Sequence, residues 1–289
     1  MKNFALLSAI LILAFATIAC SFSVNLPDIK TIETGPTVTT DIMVPLPDSS
    51  GTPKLEINFG AGELNIQPGA ESGLAAGTAT YNVPEFAPKI VQDGSTVKLQ
   101  QGEGRIDGLP NFGNEMVMEW DLELSDTPME MELNGGANQT RAELGGLSFV
   151  DMVINQGAAD SEFSFSEPNL VEMSNMQVNA GAANVNLYGI GNANITDGFI
   201  FKGGAGNYTL DFSGELQQDL YVTIDAGLGN LILVVPDGTP AELTLEGALT
   251  NVNTTGSWQK SGNSYNTSGS GYMIYLDVTM GAGNLDLRN

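Results

Sequence analysis

Seven glycines share one set of neighbours, and that repeat restricts the fold more than anything else in the chain. Gly60, Gly136, Gly157, Gly181, Gly204, Gly227 and Gly281 can be set in register. Three residues before each stands an apolar side chain: Ile57, Leu133, Ile154, Val178, Phe201, Ile224 and Val278. The next two residues are nearly always small, as in Ala61-Gly62, Ala158-Ala159, Ala182-Ala183, Ala205-Gly206 and Ala282-Gly283. At plus three comes Glu63, Gln139, Asp160, Asn184, Asn207, Asn230 or Asn284, and at plus six Ile66, Ala142, Phe163, Leu187, Leu210, Leu233 or Leu287.

From Gly136 to Gly227 the steps are 21, 24, 23 and 23 residues, a period typical of stacked repeats. The next step, to Gly281, is 54 residues, and Gly247-Ala248-Leu249-Thr250-Asn251 sits inside it as a degraded copy. Between corners the apolar residues alternate, as in Met118-Glu119-Trp120-Asp121-Leu122-Glu123-Leu124 and Met129-Glu130-Met131-Glu132-Leu133, which is the period of half-buried strands. No amphipathic helix is legible after residue 20, and 35 glycines oppose long ones. The expectation is an all-β chain, a single-stranded, β-helix-like β-solenoid with rungs of about 20–24 residues. One rung cannot bury its apolar face alone, so rungs stack. The corner glycines answer either a φ above zero or a lack of room beneath the next rung. The polar residue at plus three is expected to form a ladder that satisfies corner backbone groups.

The first twenty residues are of another kind. Lys2 is followed by an uncharged run from Phe4 to Ala19, closed by Cys20, in the order of a secretory signal. Sixteen helical residues reach about 24 Å, short of the roughly 30 Å of a bilayer core. Thr17-Ile18-Ala19-Cys20 resembles the lipobox of bacterial lipoproteins, although Thr17 stands where that pattern prefers Leu, Val or Ile. Cys20 is also the single cysteine of the chain. The resemblance implies a signal peptide over 1–19 and an acylated Cys20 holding the mature protein to a membrane, outside the cytoplasm. Ser21 in place of an inner-membrane-retaining Asp points to the outer membrane in a cell with two. Residues 20–52, with four prolines and many Ser and Thr, read as anchor and disordered tether, and 53–289 as the repeat domain.

With no histidine and its cysteine consumed, the mature chain has no Cys-His or Ser-His-Asp site, no zinc site of the Cys/His type and no His-ligated haem. Nine basic residues stand against 34 acidic ones once residues 1–19 are removed, a net charge of −25, which repels nucleic acid. No catalytic, metal or cofactor site is expected. Glu119, Asp121 and Glu123 share one strand face at about 6.8 Å, within reach of a paired-carboxylate glycosidase geometry, but any acidic exposed strand gives that spacing. Gly203 to Asp211 superficially resembles a calcium β-roll nonapeptide, yet Tyr208 stands where Asp is needed and the nine-residue repeat is missing. Trp258, Tyr265 and Tyr272, in and just beyond the polar stretch 253–271, are read as a contact loop for a glycan or a protein.

The chain also resembles the toast-rack family of bacterial envelope domains, from about Lys54 to Val235. The likeness rests on Trp120-Asp121-Leu122, Glu143-Leu144-Gly145-Gly146-Leu147, Glu167-Pro168-Asn169, Leu210-Asp211-Phe212-Ser213-Gly214 and Val235-Pro236, with the Gly-Ala corners. Related domains occur in cell-wall-active antibiotic response proteins and adhesin-type proteins. The resemblance implies a β-solenoid and supplies no catalytic residues to carry over. The expected function is therefore a non-enzymatic binding, adhesion or scaffolding module, its partner an envelope protein or a cell-wall glycan. The alternatives are a carboxylate-dependent polysaccharide-cleaving enzyme and an envelope-stress sensor.

Overall fold

The computed structural model describes residues 34–102 and 116–289. The signal peptide, Cys20 and the tether's first part, to residue 33, lie outside the described residues. In chain order the first strands are β1 (Val38–Val44), β2 (Lys54–Pro68), β3 (Ala75–Tyr81), β4 (Pro88–Asp93), β5 (Thr96–Gln101) and β6 (Met118–Leu124). Next come β7 (Met129–Glu143), β8 (Phe149–Gln156), β9 (Asp160–Ser164), β10 (Met173–Ala180), β11 (Asn184–Tyr188) and β12 (Ile195–Asp211). The last are β13 (Leu220–Val234), β14 (Ala241–Thr254), β15 (Gln259–Ser261), β16 (Ser264–Thr267) and β17 (Ile274–Arg288). The helical turns among the described residues are two short 3-10 segments, Pro84–Phe86 and Ile190–Ala193. The protein is all-β.

Parallel pairing builds the body. β2 lies beside β7 with Ile57 opposite Leu133 and Ile66 opposite Ala142. β8 and β9 follow, then β10 and β11, then β12 and β13, all parallel. β2, β7, β12 and β13 run through their corner glycine unbroken, whereas the two rungs between β7 and β12 divide at it. The pairings β7–β8–β10–β12–β11–β9 therefore close a six-membered ring, because each long strand contributes to both walls.

At both ends the spatial order departs from the chain order, and here the expectation of successive stacking is corrected. β17 inserts between β13 and β14, pairing in parallel with each, so the degraded copy at Gly247 forms the outer rung. At the other end β5 and β6 jointly form a rung outside β2, and the chain passes over β2 to continue in β7. Antiparallel strands finish both ends: β3 on β6, β1 on β3 and β4 on β5, and β16 on β14 with β15 on β16. The expected tether boundary also moves. Residues Val38–Val44 form a strand with Ile42 and Val44 buried, because their prolines flank the alternation instead of interrupting it.

The repeat maps onto the core directly. All the apolar residues three before and six after the seven glycines are buried. Gly60 and the six other corner glycines lack a positive φ; close backbone approach explains the other six, whereas a Cβ at Gly60 would meet the Gln101 side chain at 3.1 Å. A Cβ at Gly157, Gly181, Gly204 or Gly281 would lie 2.5–2.8 Å from the carbonyl oxygen of the preceding glycine in the column, and closer still at Gly136 and Gly227. The column is a backbone-to-backbone contact with no space for a methyl group.

Candidate functional site: the outward faces of the rungs

Parallel in-register rungs bring equivalent residues into columns about 4.8 Å apart, so the outward chemistry is read column by column. At plus three, the Asn207 amide donates to Asn184 Oδ1 at 2.9 Å, Asn230 to Asn207 at 2.7 Å and Asn284 to Asn230 at 2.7 Å. Asn251 adds to Asn284 at 3.4 Å. The ladder runs side chain to side chain, with one backbone link, from Asn207 N–H to Asn184 Oδ1. A second ladder, two residues before the glycine, was not legible beforehand: Asn134 donates to Asn58, Asn155 to Asn134 and Asn179 to Asn155, at 2.9, 2.7 and 2.7 Å. It holds the early rungs, and the first ladder holds the late ones. Each bond contributes about 1 kcal/mol net.

Ion pairs lie on the same wall of the early rungs. Lys54 pairs with Glu132 and Lys98 with Glu56 across neighbouring strands. The Lys54 hydrogen bond holds the Glu132 carboxyl below its ordinary range, against the opposing effect of burial. At Glu56 burial pushes upward, but donors from Asn58 and Lys98 outweigh it and leave that carboxyl lowered as well. Glu143 behaves similarly: partial burial is outweighed by Ser164, the Ser166 and Gly145 N–H groups and the Ser166 hydroxyl, which knit a turn. These lowered carboxyls stabilise the fold above their unfolded values, and that contribution disappears as pH falls through the folded values. Lys54, raised chiefly by its hydrogen bond to Glu132, contributes below its unfolded value and loses this as pH rises through the folded one. The thermal midpoint should therefore hold a plateau through neutrality and fall in acid, and Glu132→Gln should flatten the acid limb. An unchanged limb would remove Glu132 from the account.

A general acid needs a raised carboxyl, and these three are all lowered. Glu119, Asp121 and Glu123 face outward beside β2 while Trp120 and Leu122 are buried. Asp121 accepts from Asn65 at 2.9 Å and Glu123 from Gln67 at 3.3 Å, so both are tied to neighbouring amides. Among the described residues no group of three or more acids is arranged to hold a metal ion. A shallow groove follows the corner over Ala158, Ala182 and Ala205, edged by Asp160 and Asn184.

The expected contact loop divides. Trp258 and Tyr265 are buried, at 8% and 3% exposure, and Tyr265 lies opposite Leu243 in the β14–β16 pairing. They cover the end of the core, because the terminal rung has no further neighbour to bury its apolar side. This corrects their reading as contact residues. Tyr272 alone of the three is exposed.

A different aromatic pair occupies the outward wall. Tyr221 and Tyr275 lie opposite each other on β13 and β17, stacked with centroids 4.9 Å apart and planes 6° from parallel. Tyr221 is 54% exposed. Both stand six residues before their corner glycine, so extending the repeat alignment by three further positions would have found them. Their column also contains Asn175 and Gly198 on one side and Glu242 on the other.

Parallel rungs, a glycine corner and amide ladders define a repetitive all-β domain. The chain belongs to the toast-rack family: residues 33–188, just over half of it, match the N-terminal domain of toast_rack, DUF2154. Solved structures of low similarity include a candidate cell adhesion protein from Clostridium sporogenes, 18% identical over 88% of this chain and 99% of that one, at a TM-score of 0.42. Another is a candidate adhesin from Bacteroides fragilis, 11% identical over 87% and 97%, at 0.38. A candidate lipid binding protein from Parabacteroides distasonis is 12% identical over 89% and 99%, at 0.34. No curated protein matched the chain.

Proposed function

We propose that the protein is a lipid-anchored, non-enzymatic binding or adhesion module of the bacterial envelope, its β-solenoid held outside the cytoplasm on acylated Cys20. The carrying observation is the outward wall of the rungs. It is an extended polar surface of columns fixed by amide ladders, suited to a long partner more than to a small substrate. Family membership and the order of residues 1–20, basic start, apolar run and terminal Cys20, support the same reading. The lowered carboxyls serve ion pairs and turns, which weighs against an acid-catalysed role. The partner would be an envelope protein or a wall glycan, and nucleic acid is disfavoured by charge.

The test begins at the anchor. Two or three acyl chains, each contributing about 0.8 kcal/mol per buried methylene, would hold the protein durably. Cys20→Ser should abolish incorporation of labelled fatty acid and leave either uncleaved precursor or released soluble protein. Label still entering that variant refutes the anchor. Turnover of a wall polysaccharide, lost on mutation of one Glu or Asp, refutes the non-enzymatic reading.

A further inference from the structure

The late rungs present a surface that is both regular and neutral. Asn207, Asn230 and Asn284 are exposed and in register. Each donates one amide hydrogen to the rung on one side and accepts one from the rung on the other. A side-chain amide has two N–H donors and two carbonyl lone pairs, so each of the three keeps a donor and an acceptor that the ladder does not use. Those groups recur at the rung spacing of about 4.8 Å. The ladder also restricts the rotamers of its members, so the array is ordered before any partner arrives.

Charge is excluded from this surface. The full chain has a formal net charge of −24, yet the stretches 182–186, 205–209 and 228–232, which carry the ladder through β11, β12 and β13, contain no charged residue. Acids adjoin it at two places, and an arginine offsets each: Arg141 lies 3.6 Å from Asp160 and Arg288 3.3 Å from Asp286. Those are the two arginines among the described residues. Beside the ladder runs the corner groove, about 450 Å³ in volume, which crosses the rungs from β7 to β12 over Ala137, Ala158, Ala182 and Ala205. On the next rung Leu228, opposite Ala205, continues that apolar column and is 58% exposed. The result is a neutral track along the stack, with amides on one side and apolar groups on the other.

Period and charge together select the partner. An extended polypeptide advances about 3.3 Å per residue and falls out of step with the rungs, and the net charge repels nucleic acid and anionic sugars. A β-1,4-linked glycan advances by close to one rung spacing per sugar, with hydroxyl donors and acceptors along its edges and C–H groups on its faces. We infer that the Asn207–Asn230–Asn284 ladder and the adjoining alanine groove bind a neutral β-1,4-linked glycan lying along the stack, one sugar to a rung. This rests on the binding-module reading and names its ligand class. The test is calorimetric titration of the purified full chain, in a detergent without a sugar headgroup, with the β-1,4-linked N-acetylglucosamine hexamer. The hexamer should bind at least about tenfold tighter than the trimer, because each added sugar meets a further rung. Ala205→Glu, which puts charge and bulk into the groove at an exposed position, should weaken binding about tenfold with an unchanged thermal midpoint. Asn207→Ala should weaken it about fivefold or more, whereas Thr223→Ala, exposed on the other wall, should leave affinity unchanged. A carboxylate-bearing β-1,4 oligomer of the same length should bind at least about tenfold more weakly. Absence of binding by the parent, equal affinity for trimer and hexamer, or equal binding by Ala205→Glu overturns the inference. Full displacement by a neutral peptide of alternating serine and threonine also overturns it, since the surface would then be a peptide site. None of these outcomes touches fatty-acid labelling at Cys20 or the absence of turnover, so the glycan track can fail while the envelope-module reading stands.

Discussion

Leu210→Asp is expected to lower stability by about 4 kcal/mol, while Thr209→Asp, one residue away, should change it by no more than about 0.5 kcal/mol. Leu210 is fully buried in β12, opposite Leu187 on one side and Leu233 on the other. An aspartate there would be an ion in an apolar column with no basic partner, and it would either remain charged at high cost or take up a proton. Tyr208 and Phe212 share its inward face, so repacking cannot carry the new side chain to solvent. Thr209 faces the other way, between Asn186 and Ile232. Urea unfolding followed by the fluorescence of the buried Trp120 and Trp258 would measure both. Equal losses from the two substitutions would mean that the strand is out of register.

Gly229→Val should be comparably damaging, at about 3 kcal/mol or more. Gly229 has φ +133°, a conformation that a β-branched residue avoids. A Cβ there would also fall within the van der Waals radius of the Gly206 carbonyl oxygen on the adjacent rung. Gly283 repeats the arrangement one rung further, against Gly229 itself, so the rungs cannot part locally without parting along the column. Leu228→Ala is the matched control. That side chain is 58% exposed on the outside of the same corner and its loss should be nearly silent. Similar unfolding midpoints for the two variants would show that the rungs are not packed as closely as the column requires.

Much of this architecture was legible in the chain. The spacing of Gly136, Gly157, Gly181, Gly204 and Gly227 determined the rung length, and alternation on either side determined which residues face inward, from Ile57 and Leu133 to Leu233 and Leu287. Those are local properties. A strand of period two has one apolar face, and a position pressed against a neighbouring backbone tolerates no side chain. The plus-three asparagines were also readable, because a polar residue recurring at one repeat position must meet its equivalents once rungs stack.

Only the tertiary structure decided which rung meets which. The rungs share one pattern, so any can pair with any other, and a periodic sequence does not encode the order of its copies. β17 lies between β13 and β14, where Asn284 joins Asn230 at 2.7 Å and Asn251 is left at the outer end at 3.4 Å. β5 and β6 cover β2 across a long excursion in the chain. The same non-local step settled the aromatics. Trp258 and Tyr265 looked like solvent-facing rings in a polar stretch, and the exposed end of the last rung drew them inward. Tyr221 and Tyr275, distant in sequence, became a stack because their strands are neighbours. Local periodicity specifies a face, whereas the partner of that face is chosen by the apolar area that would otherwise remain in water at the ends of the stack.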